Sequence, residues 1–129
     1  MKMQNEIVKI LMKIKAEESK DRIAKAACDI LRALLILGGS SWEAELLDSI
    51  AAIAAFSGDL SSAASMQEIE EALSYLKKEG LIDFKRMQRA NLTGISIIEE
   101  NFYSLKNFIA SMQVFGADKP VLRLRRGEI

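Results

Sequence analysis

Apolar residues recur through the first two thirds of the chain every three or four positions, the period of one helix face. Ile7, Ile10, Leu11 and Ile14 predict a first helix over about 5–16; Ile23, Ala27, Ile30, Leu31 and Leu34 predict a second over about 20–37, with Gly38 as its stop. The polar run 16–21 fits either a joint between them or part of one continuous helix. Ser40 followed by Glu43 has the form of a capping box, in which the serine oxygen accepts from a free backbone N–H and the glutamate reaches back. Trp42, Leu46, Leu47, Ile50 and Ile53 would then form the apolar side of a third helix ending at Gly58. After a small, polar joint the same device, Ser65 with Glu68, opens a fourth helix carrying Ile69, Ala72, Leu73 and Leu76. Lys77 and Lys78 in its last turn and Gly80 beyond it suit the helix dipole and the orphan carbonyls.

Beyond Gly80 the period changes. Ile82 and Phe84 alternate with Asp83 and Lys85, and Ile95, Ser96 and Ile97 alternate again after the turn-forming residues 91–94, so 81–100 read as a hairpin. Leu105, Phe108, Ile109 and Met112 restore a helical face, with Asn101 or Ser104 as caps and Gly116 as stop. In the tail, Val121, Leu122 and Leu124 interleave with Arg123, Arg125 and Arg126, which suits an edge strand with one wet face or an added basic surface.

The 129 residues, half of them hydrophobic, are expected to form a single domain over 1–129. With 18 Lys+Arg against 18 Asp+Glu, the chain is not generally basic, and the charge is uneven: +3 over 1–40, −6 over 41–80 and +3 over 81–129. There is no histidine, which removes the commonest general base and metal ligand, and the one cysteine, Cys28, builds neither a disulfide within the chain nor a thiolate metal site. Cys28 reads as a small core residue. The glycines stand at element ends or in the tail rather than in a phosphate-cradling loop, and the carboxylates Glu68, Glu70, Glu71 and Glu79 share one helix as a solvated face. No enzyme activity, cofactor or metal is expected. Lysines interrupt the apolar amino-terminal stretch, and no run reaches the roughly 18 apolar residues of a membrane span. A cytoplasmic protein with no membrane partner is expected.

The segment SMQEIEEALSYLKKEGLIDFKRM at 65–87, with its join Leu76-Lys77-Lys78-Glu79-Gly80-Leu81-Ile82, resembles the recognition helix and wing entry of the winged helix-turn-helix family. The resemblance implies a mainly α (α+β) fold, a winged helix-turn-helix core over 20–100 with a two-stranded wing, and additional N- and C-terminal helices in 1–19 and 101–129. It also implies a duplex DNA-binding protein, a transcriptional regulator, that reads DNA with a helix at about 65–79 and a basic wing at about 81–98.

With about 100° per residue and the core face on Ile69, Ala72, Leu73 and Leu76, the residues pointing most directly outward are Gln67, Glu71, Ser74 and Lys78. Gln67, Glu71 and Ser74 are the candidates for base edges, and Lys78, Lys85, Arg86 and Arg89 those for phosphates. A solvated helix and an ordinary charged β edge are the plain readings of the same residues. The apolar residues of the terminal helices serve either a homodimer, which would present two recognition helices to successive major grooves, or a larger core in one chain. The alternative function is a winged-helix protein–protein module whose acidic middle surface meets a basic partner.

Overall fold

The computed structural model describes residues 3–58, 63–90, 94 and 96–125. Residues 59–62 of the joint before the fourth helix, the turn residues 91–93, Ile95 and Arg126 lie outside them. Among the described residues the protein is a mixed α+β structure of six helices and one three-stranded antiparallel sheet.

Helix α1 (Gln4–Ala16) buries Leu11 and Ile14 and ends in a turn, so the first two helices are separate. Helix α2 (Arg22–Ile36) starts at Asp21, whose Oδ1 accepts from the Ile23 amide at 2.8 Å. Every residue from Ala26 to Leu35 is buried, so α2 is the central rod on which α1 and the later helices pack. Cys28 lies within it, fully buried, its thiol donating to the Ile14 carbonyl at 3.7 Å. Burial pushes that thiol's pKa up to about 12, which makes it an inert part of the core.

A rod buried all round with Asp29 and Arg32 in its middle must pair those charges. The Arg32 guanidinium binds Glu18 with two nitrogens, one of them at 2.8 Å, and reaches Asp29 at 2.9 Å and Asp118 at 2.8 Å. Lys25 adds a contact to Asp29 at 2.9 Å and Lys15 one to Asp118 at 2.7 Å, while Phe115 lies 5.4 Å below the Arg32 head. Burial acts to raise the Glu18 pKa, but the hydrogen bond and charge of Arg32, with Lys25, hold it below the ordinary value. This cluster ties the α1–α2 turn and the turn at 116–118 to the central rod. It is assembled from residues 86 positions apart, and no local pattern announces it.

The chain leaves α2 through Gly38 and Gly39 into strand β1 (Ser40–Trp42), then helix α3 (Glu43–Ser57). The capping box expected at Ser40 and Glu43 is absent: Ser40 is paired with Ser104 in the sheet, and Trp42 precedes the helix without a side-chain cap. The cap comes instead from across the sheet, where the Glu100 carboxylate accepts from the Ala44 amide at 2.6 Å. Helix α4 (Met66–Lys78) does carry the expected box, with Ser65 and Glu68 satisfying each other's amides. Strands β2 (Ile82–Ala90) and β3 (Ile97–Leu105) form the expected hairpin, and β1 lies on the far side of β3, giving the order β1-β3-β2.

Strand β3 runs further than its apolar alternation suggested. Leu105, expected on the terminal helix, closes the strand opposite Ile82, and Asn107 rather than Asn101 or Ser104 caps helix α5 (Phe108–Phe115) through the Ala110 amide. Phe102 and Tyr103 are packing residues of the sheet: Phe102 meets Trp42 edge-on at 5.1 Å and Tyr103 meets Phe84 at 5.5 Å. The tail is helix α6 (Lys119–Arg125), not an edge strand. Val121 and Leu124, three apart, pack on the core while Leu122 is exposed, and Pro120 sits in the first turn where its missing N–H has no partner to lose.

Most of the terminal-helix apolar surface is spent within one chain. Leu11, Ile14 and Phe115 are buried and Ile7, Ile10 and Met112 half-buried against the same core, while Met3, Met12, Phe108 and Ile109 stay exposed.

Gly39 combines a positive φ with a close side-chain neighbour. Its φ is +108°, and a Cβ there would lie 3.1 Å from the Phe108 ring, whereas at Gly38, φ +89°, a Cβ would meet open space. Gly39→Ala is therefore expected to cost about 1–3 kcal/mol and Gly38→Ala distinctly less, since the latter meets backbone strain alone. Urea unfolding of the two variants checks the order.

Candidate nucleic-acid interface

Helix α4 is held by three apolar residues, Ile69, Ala72 and Leu76, which are buried, and by its amino end. There the Arg22 guanidinium grips both oxygens of Glu68, at 2.6 and 3.0 Å, and donates to the Ala63 carbonyl at 3.0 Å. The Arg22 hydrogen bond, followed by the Ser65 amide, lowers the Glu68 pKa to about 2. Glu68 is thus committed to holding the helix and does not add its charge to the outer face.

That outer face is composed as the helical geometry predicts. Gln67, Glu71, Ser74 and Lys78 are all exposed on one side of α4, and the Gln67 amide donates to the Glu71 carboxylate at 3.5 Å. Its two flanks differ. On one, Lys77 lies 3.9 Å above the Phe84 ring at the base of the hairpin; on the other, Tyr75 and Glu68 face the α1–α2 end of the molecule. The four outward residues therefore lie beside the hairpin, and neighbouring elements leave them open to solvent.

The wing cations are not one cluster. Side chains alternate along β2, so Arg86 shares the Phe84 face, next to Lys77 of α4, whereas Lys85 and Arg89 point to the opposite face. Arg86 is well exposed, 3.8 Å from an equally exposed Glu99 and 3.4 Å from the Asn101 amide oxygen. Lys85 is exposed, across the ladder from Phe102. Arg89 stands apart from both. It lies 4.7 Å over the Trp42 ring and bonds Glu45 at 3.0 Å and Glu100 at 3.3 Å. The Glu45 hydrogen bond leads the effects that raise its pKa.

Arg89 thus fastens the hairpin to the start of α3, and its charge is matched by two carboxylates. The two-residue repeat already visible in the sequence separates Arg86 from Lys85 and Arg89; the fastening to Glu45 and the contact of Lys77 with Phe84 were not visible, because each joins different elements. Among the described residues the exposed side of α4 with the hairpin beside it offers two hydrogen-bonding side chains, one carboxylate and the cations Lys78 and Arg86, with Lys85 on the opposite face of the hairpin. Hydrogen-bonding side chains and flexible cations are the chemistry that base edges and phosphates take. No family model matches the chain, and no curated protein or solved structure matches it either.

Proposed function

We propose that the protein is a winged-helix duplex DNA-binding protein acting as a transcriptional regulator, with α4 as recognition helix and β2–β3 as wing. One observation carries the reading: α4 is pinned at its amino end and along its inner face, yet its outer face is left open beside a hairpin of two nine-residue strands. The element order from α2 to β3 and the sheet order β1-β3-β2 support the same fold reading. In this account Gln67, Glu71 and Ser74 meet base edges, and Lys78 and Arg86 contact phosphates, with Lys85 further along the backbone. Arg89 sets the angle of the wing rather than touching DNA. The exposed Met3, Met12 and Ile109 on the terminal helices supply the contact of a twofold dimer. The reading invokes no catalysis, metal or cofactor and places the protein in the cytoplasm.

A second reading, a protein-assembly module, is favoured by the exposed Met87, Ile97 and Ile98 on the outer half of the hairpin, for which phosphates offer nothing. Amide chemical-shift mapping with a random-sequence duplex of about two helical turns separates the two. Perturbations at Gln67, Ser74, Lys78 and Arg86 are expected. Their absence, or perturbations confined to α5 and α6, would remove the DNA reading.

A further inference from the structure

On the flank of α4 opposite the wing, the end of α1, the start of α2 and Tyr75 enclose a pocket of about 280 Å³. Its floor is apolar, made by Ile14, Ile23 and Ala24, and its rim carries Lys13, Glu17, Asp21 and the Tyr75 phenol. Apolar lining with a few convergent polar groups is the usual make-up of a small-molecule site, and the size lies at the lower end of such sites. We infer that this pocket binds a small organic cation, an ammonium group on an aromatic or aliphatic body, with the body on the Ile14–Ile23–Ala24 floor and the charge between Glu17, Asp21 and the Tyr75 ring.

The sign of the ligand follows from the surroundings. Two carboxylates against one ammonium line the pocket, and Glu79 lies near enough to act on the same phenol. After burial, the charges of Glu79, Glu17 and Asp21 are what raise the Tyr75 pKa, so all three place negative potential at the phenol. A cation gains from that potential and from the face of the ring, whereas an anion is repelled. The Tyr75 and Glu17 side chains are exposed at the pocket, Glu17 being tied into the turn by its backbone alone, and Asp21 keeps one oxygen on the Ile23 amide. The inference does not rest on DNA binding. Because Tyr75 belongs to α4, however, an occupant touches the helix proposed to read DNA.

The test uses the full chain without DNA and three matched probes: 2-phenylethylammonium, the neutral 2-phenylethanol and the anionic 3-phenylpropanoate. The protein has two tyrosines, so the Tyr75 ring signals are identified by comparison with Tyr75→Phe and followed in proton spectra. The ammonium is expected to shift them with a dissociation constant on the order of 1 mM, as suits a ligand of this size. The alcohol should bind at least about tenfold more weakly and the carboxylate not at all. In the double variant Glu17→Gln, Asp21→Asn, which retains a capping oxygen at 21, the preference for the ammonium over the alcohol should vanish. No shift of Tyr75 at tens of millimolar ammonium, or equal binding of the carboxylate, overturns the inference. Neither result bears on DNA association, which is measured separately.

Discussion

Replacing Arg32 by alanine is expected to lower stability by about 3–5 kcal/mol, the cost of removing one partner from a buried ion pair. For a chain of this length that corresponds to a fall in Tm of roughly 10–20 °C. The reason is what stays behind. Glu18, Asp29 and Asp118 all bond the Arg32 guanidinium, and its loss leaves three clustered carboxylates with Lys15 and Lys25 as the remaining cations. The guanidinium also covers the Phe115 ring, so packing is lost with the charge. Arg32→Lys keeps the charge but not the fork that reaches three acids at once, and a smaller loss is expected.

The same cluster fixes a pH signature. In the wild type the Glu18 carboxyl lies below its ordinary value of 4.5 in the folded state. Its contribution is therefore fully present above the unfolded value and fades as pH falls through the lower, folded one. In Arg32→Ala the Glu18 carboxyl keeps its burial and the Asp118 charge but loses the hydrogen bond and charge of Arg32, so its pKa moves upward. The variant should gain stability as pH falls from 7 toward 5, opposite in sign to the wild type below pH 4.5. Urea melts at pH 7, 5 and 3.5 read both slopes. An Arg32→Ala protein within about 0.5 kcal/mol of wild type at pH 7, the range of ordinary surface changes, would show that the cluster does not hold the terminal helices.

The second large effect concerns the cations at the proposed DNA face. Each phosphate contact contributes a slope of about −0.9 to the dependence of log affinity on log salt. Lys78→Ala and Arg86→Ala are each expected to flatten that slope by about one and to weaken binding to all duplex sequences alike. Lys85→Ala should do less, because Lys85 points away from the α4 side of the hairpin. Arg89→Ala should leave the slope unchanged and instead reduce stability, since Glu45 and Glu100 already balance its charge. Fluorescence anisotropy with a labelled duplex at several salt concentrations, alongside thermal melts, separates the four. An Arg89 variant that flattens the slope as strongly as Arg86 would place Arg89 on the phosphates and contradict the assignment.

What could be read from the residues alone is what local chemistry determines. The box at Ser65 and Glu68, the glycine after Lys78 and the outward set Gln67, Glu71, Ser74 and Lys78 lie within one helix, and the structure keeps all of them. The same motif at Ser40 and Glu43 failed because a serine-serine-tryptophan strand of three residues shows no alternation, and its partner, Phe102–Ser104, lies some sixty positions on. A strand's claim on Ser40 outweighed the cap. The tail misled for a related reason: Val121, Leu122 and Leu124 fit a period of two as well as a period of three, and only the core beneath Val121 and Leu124 selects the helix.

At the candidate site the residues alone put Lys85, Arg86 and Arg89 together as phosphate contacts, and the alternation along β2 divides them. The Arg89 fastening and the Arg32 cluster were out of reach, because each gathers residues from distant elements whose separation along the chain carries no periodic signal. The terminal helices were legible as helices, and what they cover was not: the protomer's own core takes Leu11, Ile14 and Phe115.

The most direct measurement is the affinity of the unmodified protein for a random-sequence duplex at 50 and 200 mM salt. With Lys78 and Arg86 on phosphates, one protomer is expected to lose roughly twelve-fold in affinity between the two conditions, and a dimer more. No association at 50 mM salt, or an affinity indifferent to salt, would contradict the DNA-binding account.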